Sequence, residues 1–181
     1  MRRYVAFLRG MNVGGHRIKN EDLRLRFEAM GLAEVATFRA SGNVIFAAEK
    51  GDGTVALTER IETGLSEALG YEVPVFLRSA AEVGEIRAYD PFDPDLVTAS
   101  AGKLQLSMLL SAPAAAAREE VLAMETEEDR LAARGRELYW LPSGGMLDSL
   151  LDLKAIDTIL GQSTRRTKGT IDQIAARHFA G

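Results

Sequence analysis

Apolar and polar positions along this chain fall into short strand-like runs separated by stretches of helical periodicity. Tyr4-Val5-Ala6-Phe7-Leu8 is an uninterrupted apolar run suited to a buried central strand. After a glycine-bearing loop, Leu23, Phe27 and Met30 recur at helical spacing with Leu25 off the stripe, and Gly31 reads as a stop. Val35-Ala36-Thr37-Phe38 and Val44-Ile45-Phe46 flank Ser41-Gly42-Asn43 and predict a hairpin. Leu57, Ile61, Leu65 and Leu69, at i, i+4 spacing, predict a second helix from about Val55 to Leu69, closed by Gly70. Val73-Pro74-Val75-Phe76-Leu77 predicts a fourth strand, and its proline favours an edge position. The order βαββαβ is that of a ferredoxin-like plait, an antiparallel sheet with helices on one face.

A third helix is expected from Ala80 to Tyr89, before Asp90-Pro91-Phe92-Asp93-Pro94-Asp95 breaks regular structure and opens a linker. We place a domain boundary there, giving residues 1–95 and 96–181. In the second part Leu104 to Leu110 predicts a strand, Pro113 can open an alanine-rich helix through Met124, and Asp129 to Ala133 and Glu137 to Leu141 predict strands flanking Arg134-Gly135-Arg136. A helix from about Leu147 to Leu160, a polar stretch from Gln162 to Gly169 and a last helix from Thr170 to Phe179 complete it. The fold class expected is therefore α+β: two tandem ferredoxin-like (alpha-beta plait) domains, the second modified with an extra C-terminal helix.

The 181 residues suffice for a sizeable core, and 46% apolar with 27% charged residues is an ordinary globular balance. The apolar run after Arg2 and Arg3 is too short for a signal-peptide core or a membrane span, so no membrane association and a cytoplasmic setting are expected. The absence of cysteine excludes disulfides, thiolate nucleophiles and the common structural zinc sites. A net charge of -4 argues against a broad grip on nucleic acid, though it leaves room for a local basic patch.

Plait topology lets the two glycine-bearing motifs be placed. Arg9-Gly10-Met11-Asn12-Val13-Gly14-Gly15 follows the first strand and Arg39-Ala40-Ser41-Gly42-Asn43 joins the second to the third. Both should lie at one end of the sheet, with Arg9 and Gly10 close to Asn43 and Val44. The loop would offer backbone N–H groups at Gly10, Gly14 and Gly15, the helix start near Asn20 a positive dipole end, and Arg9, His16, Arg17, Lys19 and Arg39 positive charge. Such a set suits a phosphate or carboxylate. The glycines also admit a purely structural reading, as residues that allow left-handed backbone in tight turns. Neither the dinucleotide fingerprint nor a phosphate loop with its Gly-Lys-Ser ending is present.

Leu8-Arg9-Gly10-Met11-Asn12-Val13-Gly14-Gly15 together with Thr37-Phe38-Arg39-Ala40-Ser41-Gly42-Asn43-Val44-Ile45-Phe46 resembles the signature of a bacterial family, domain of unknown function 1697. The resemblance extends through Val73-Pro74-Val75, Asp90-Pro91-Phe92 and Glu137-Leu138-Tyr139. It implies two alpha-beta plait domains and no established activity. The carboxyl end departs from the pattern. Where the family has a Ser-Lys-Leu stretch this chain has Ser149-Leu150-Leu151, and a Thr-x-Arg-Asn-Trp-x-Thr-Val stretch becomes Thr164-Arg165-Arg166-Thr167-Lys168-Gly169-Thr170-Ile171. Leu150, Thr167 and Lys168 thus replace a lysine, an asparagine and a tryptophan, while Thr164, Arg166 and Thr170 match. The substituted stretch puts Arg165, Arg166 and Lys168 before the last helix, where Thr170 is an N-cap candidate and the charges suit either an anion or a solvated surface.

Catalytic patterns are weak. With His16 and His178 the only histidines, a multi-histidine metal site is not expected, and Asp90, Asp93 and Asp95 lack a ligand spacing. Ser41 in a hairpin is not a nucleophile elbow. Trp140 reads as core or interface. No residue pattern specifies a cofactor or a reaction. The residues favour a small anionic or phosphate-bearing ligand held between Arg9, Asn12, Gly14, Gly15, Arg39, Ser41 and Asn43, with Arg166 contributing from the other domain. The alternative is a nucleic-acid or protein interaction module without catalysis, since a plait can present an open sheet face to RNA or to a second copy in a homo-oligomer. The strands lack the aromatic-rich pattern that stacks RNA bases.

Overall fold

The computed structural model describes residues 1–11, 14–39, 42–51 and 53–180. The chain divides into two compact units, Met1–Glu85 with Ile174–Gly181, and Ile86–Gln173. The architecture is α+β. Each unit holds a four-stranded antiparallel sheet, and there are seven α-helices among the described residues. No helix among the described residues is long and apolar enough to cross a membrane.

The first unit runs β1 (Arg2–Leu8), α1 (Asn20–Ala29), β2 (Ala33–Thr37), β3 (Asn43–Ala48), α2 (Thr54–Leu69) and β4 (Val75–Ser79), in the strand order β2-β3-β1-β4. Tyr4, Ala6 and Leu8 of β1 share one face with Phe46 and Leu77 and pack against Leu23 and Phe27 of α1 and Leu57, Ile61 and Leu65 of α2. The alternate residues Val5, Phe7, Ile45 and Phe76 are buried too, which is why β1 reads as an unbroken apolar run rather than an alternating one. Arg78 lies among these alternate positions, opposite Val5, and is fully buried, its Nη1 donating to the Leu77 carbonyl at 2.9 Å. The i, i+4 stripe of α2 ends as expected at Gly70, whose left-handed φ of 80° closes the helix on the Ser66 carbonyl.

The fourth strand is at the sheet edge, as its proline suggested, but starts after Pro74 instead of at Val73. Pro74 has no N–H to give a ladder; its carbonyl accepts from Arg9 N at 3.1 Å, and the Val75 N–H goes to Glu62 Oε1 at 2.9 Å. β4 runs without a loop into α3 (Ala80–Ala88). A reciprocal cap makes this junction: Ser79 Oγ accepts from Glu82 N at 3.2 Å and Glu82 Oε2 accepts from Ser79 N at 2.8 Å.

The second unit contains α4 (Pro94–Ala99), β5 (Gln105–Leu109), α5 (Ala115–Leu122), β6 (Asp129–Arg134), β7 (Glu137–Pro142), α6 (Leu153–Leu160), β8 (Ser163–Thr167) and α7 (Lys168–Ile174), with strand order β6-β7-β5-β8. Several boundaries differ from the sequence expectation. The break before Asp95 is followed at once by α4, because Asp93 accepts from the Asp95 N–H and Pro94 occupies the first turn. The helix expected from Leu147 is a 3-10 turn over Met146–Asp148, then α6, since Asp152 caps the helix through the Ala155 N–H. Leu147 and Leu150 are almost fully exposed.

The polar stretch from Gln162 to Gly169 is the main correction. It contains β8, an edge strand paired to β5 from Gln105↔Thr167 to Leu109↔Ser163. Its residues, Ser-Thr-Arg-Arg-Thr, carry no apolar alternation, so only the partner strand reveals it. The second sheet is accordingly complete. Thr167, not Thr170, opens the last helix: its Oγ1 accepts from the Thr170 N–H at 3.2 Å because strand and helix abut.

Candidate functional site

Three connections meet at one end of the first sheet: the loop after β1, the β2–β3 hairpin and the loop between α2 and β4. β1 and β3 are antiparallel neighbours with Phe7 opposite Asn43, and the Leu8 N–H continues the ladder onto the Gly42 carbonyl at 2.8 Å. The Arg9 N–H donates to the Pro74 carbonyl, tying in the third connection. The hairpin is closed at its base by a reciprocal pair, Phe38 N to the Asn43 carbonyl and Asn43 Nδ2 to the Phe38 carbonyl, both at 2.9 Å. Asn20 at the start of α1 donates through Nδ2 to the Arg39 carbonyl at 3.0 Å.

Left-handed backbone recurs here, as it does at Glu34 and Lys103 elsewhere in the chain. Gly10, Gly14, Gly15 and Gly42 have φ of 75°, 67°, 84° and 70°, and Arg39, which has a β-carbon, sits at 58°. At Gly42 the need is doubly steric, since a Cβ there would lie 3.1 Å from Leu8 Cβ and 3.1 Å from Met11 Cγ, both buried side chains. Arg39 is exposed, its guanidinium 5.5 Å from the centre of the Phe38 ring. Arg9, His16, Arg17 and Lys19 are also exposed. The structure adds Tyr71, on which the His16 ring stacks at 4.0 Å with an interplanar angle of 29°.

Each expected site residue can now be located. Arg9, Gly14, Gly15, Arg39 and Asn43 lie on the loop after β1 and the hairpin. Asn43 is buried with its amide spent on the hairpin base, so it shapes the loop. Asn12 and Ser41 lie outside the described residues. The α1 start offers less positive potential than expected, because Glu21 and Asp22 already occupy its first turn. Arg166 belongs to the second unit, in β8 opposite Leu106 of β5. Tyr71 was not singled out in the sequence and has no local signal, whereas Gly42 was read as a turn glycine tolerating left-handed backbone but not as a ligand-binding residue.

A family model described as "Protein of unknown function (DUF1697)" matches residues 1–139. This chain belongs to that family. A solved structure, "The structure of conserved bacterial protein SP0830 from Streptococcus pneumoniae", aligns over 99% of both chains with a TM-score of 0.71 at 20% sequence identity, a likeness of fold. No curated protein matches the sequence. The DUF1697 match contains the loop after β1, the hairpin and Tyr71, and ends within β7.

The carboxyl stretch of this DUF1697 member, beyond the match, makes its contacts within the second unit. In the run Arg165-Arg166-Thr167-Lys168 the pleat sends Arg165 and Arg166 to opposite faces, and the strand residues are half-buried rather than solvated. Arg165 places its guanidinium 5.2 Å from the Trp140 ring centre and its Nε 3.4 Å from Ser107 Oγ; burial lowers its pKa, opposed by Asp157. Arg166 donates to Thr164 Oγ1 and the Arg165 carbonyl, and burial brings its pKa down to about 10. Lys168 is buried with Nζ 3.1 Å from Asp172, 3.4 Å from Asp90 and 3.1 Å from the Arg87 carbonyl. Those acceptors absorb its charge within the second unit. Trp140 is core, donating from Nε1 to Asp129 Oδ1 at 2.8 Å, an oxygen that also accepts from Ser149 Oγ. Among the described residues no group of His, Cys, Asp and Glu has metal-holding geometry.

Proposed function

We propose that this protein binds a small anionic, phosphate-bearing ligand at the end of the first sheet, between the loop after β1 and the β2–β3 hairpin. The observation that carries the reading is Arg39: an exposed arginine held at a φ of 58° beside the junction of the hairpin with β1. A non-glycine residue in left-handed backbone costs about 1–2 kcal/mol and persists where its surroundings dictate it, a pattern that clusters at ligand sites. Here the Asn20 side chain grips the Arg39 carbonyl, and the Phe38–Asn43 pair fixes the turn. Arg9 supplies a second cation, and Gly14 and Gly15 allow a close backbone approach to an anion. Asn12 and Ser41 enter the proposal from their places in the same two segments. The proposal also takes both units as ferredoxin-like plaits, supported by the matching strand orders β2-β3-β1-β4 and β6-β7-β5-β8.

The test is a thermal-shift screen of sugar phosphates, nucleotides and phosphorylated coenzymes on the wild type, Arg9→Ala and Arg39→Ala. A ligand at a hundredfold excess over its dissociation constant stabilises by about 2.7 kcal/mol, a shift readily seen for a domain of this size. A hit lost in both variants supports the site. Hits retained by both variants, or no hit at all, would sink the reading.

A further inference from the structure

Resting on the anion reading, we infer that the ligand of this site carries a planar ring beside its anionic group, as a nucleoside monophosphate does. Tyr71 is half-buried and packs against the first unit's core, while His16 stacks on it with ring centres 4.0 Å apart at an interplanar angle of 29° and remains exposed. The pair is therefore a ledge with a fixed inner ring and an accessible outer one. Its position is set from both sides. Gly14 and Gly15, in left-handed backbone, immediately precede His16, and the loop carrying Tyr71 is tied to the Arg9 backbone through the Pro74 carbonyl. An anion held by Arg9 and the glycine loop thus has an aromatic surface at the edge of its site. Stacking tolerates any base, because every base offers a π-face. A bare phosphate or sugar phosphate would leave the ledge unused.

The experiment is calorimetric titration of AMP, GMP, CMP and UMP against ribose 5-phosphate on the full chain, on His16→Ala and on His16→Phe. The nucleotides are expected to bind about tenfold or more tighter than ribose 5-phosphate, the usual worth of one stacked base. His16→Ala should narrow that gap by weakening the nucleotides more than ribose 5-phosphate, and His16→Phe should keep it, with melting temperatures confirming that both variants fold. Equal affinity for nucleotides and ribose 5-phosphate, or a gap indifferent to His16→Ala, overturns the inference and leaves the anion site standing. Binding of neither probe class overturns both readings. A hexa-uridylate that binds tighter than UMP overturns the mononucleotide in favour of a strand.

Discussion

Replacing Gly42 with alanine tests the close approach on which the candidate site is built. The residue's φ of 70° places alanine in left-handed backbone, a cost of about 1–2 kcal/mol. The new Cβ would lie 3.1 Å from Leu8 Cβ and 3.1 Å from Met11 Cγ. The Met11 side chain can rotate, but Leu8 Cβ is fixed to a strand whose N–H donates to the Gly42 carbonyl itself at 2.8 Å, so retreat stretches that bond. Overpacking of this kind costs about 1–3 kcal/mol, and the lower entropy of unfolded alanine returns about 0.4–1 kcal/mol. The expected loss is about 1–4.5 kcal/mol, near 3 at the midpoints of these terms, read as a shifted urea midpoint by circular dichroism. Gly10→Ala is the control. Its φ is 75°, but among the described residues nothing lies within 4 Å of where a Cβ would sit, so it should cost only the backbone term less the entropy gain, about 0–1.5 kcal/mol. Equal midpoints for the two variants would refute the steric argument and, with it, the tight seating of the hairpin on β1.

Arg39→Gly removes the guanidinium while relieving the left-handed strain, so phosphate-compound binding should be lost with the melting temperature held or raised; a large drop in melting temperature would contradict the strain argument. His178 has a buried Nε2 without a hydrogen-bond partner among the described residues, and burial, then Arg177 and Arg3, hold its pKa below the ordinary value. The folded chain thus favours neutral imidazole, so its stability contribution is present above about pH 6.5 and is lost as pH falls through 6.5 toward the lower folded value. Melting curves from pH 5 to 8 should show that slope reduced in His178→Gln, and an unchanged slope would remove His178 from the account. Trp140→Phe deletes the N–H donor to Asp129 and should lower stability by about 1–3 kcal/mol in urea denaturation; a loss below about 0.5 kcal/mol would mean that Ser149 alone satisfies the carboxylate.

Much of the first unit was legible because local pattern and tertiary demand agree there. The apolar run of β1, the i, i+4 stripe of α2, the glycine stops after α1 and α2 and the hairpin around Ser41-Gly42-Asn43 each carry a signal that no distant partner overrides. The same agreement placed the loop after β1 beside the hairpin, since the order of strands and helices fixes which ends share an edge. The family, too, was visible in those two motifs.

What the sequence could not supply lies where a residue's state depends on a partner far along the chain. β8 is a strand because β5 offers it an edge, and its polar residues would sit as well in a loop. Arg165 and Arg166 are adjacent in sequence yet separated by the pleat, and Lys168 is buried because Asp90, Asp172 and the Arg87 carbonyl converge on it. The strain at Arg39 and the stacking of His16 on Tyr71 depend on how the loops settle against one another. Local propensity is set by neighbours within a few residues, whereas burial, electrostatic pairing and stacking are set by neighbours in space. The sequence by itself determined the elements and their order; the tertiary structure alone decided which charges are absorbed within the second unit and which stand exposed at the end of the first sheet.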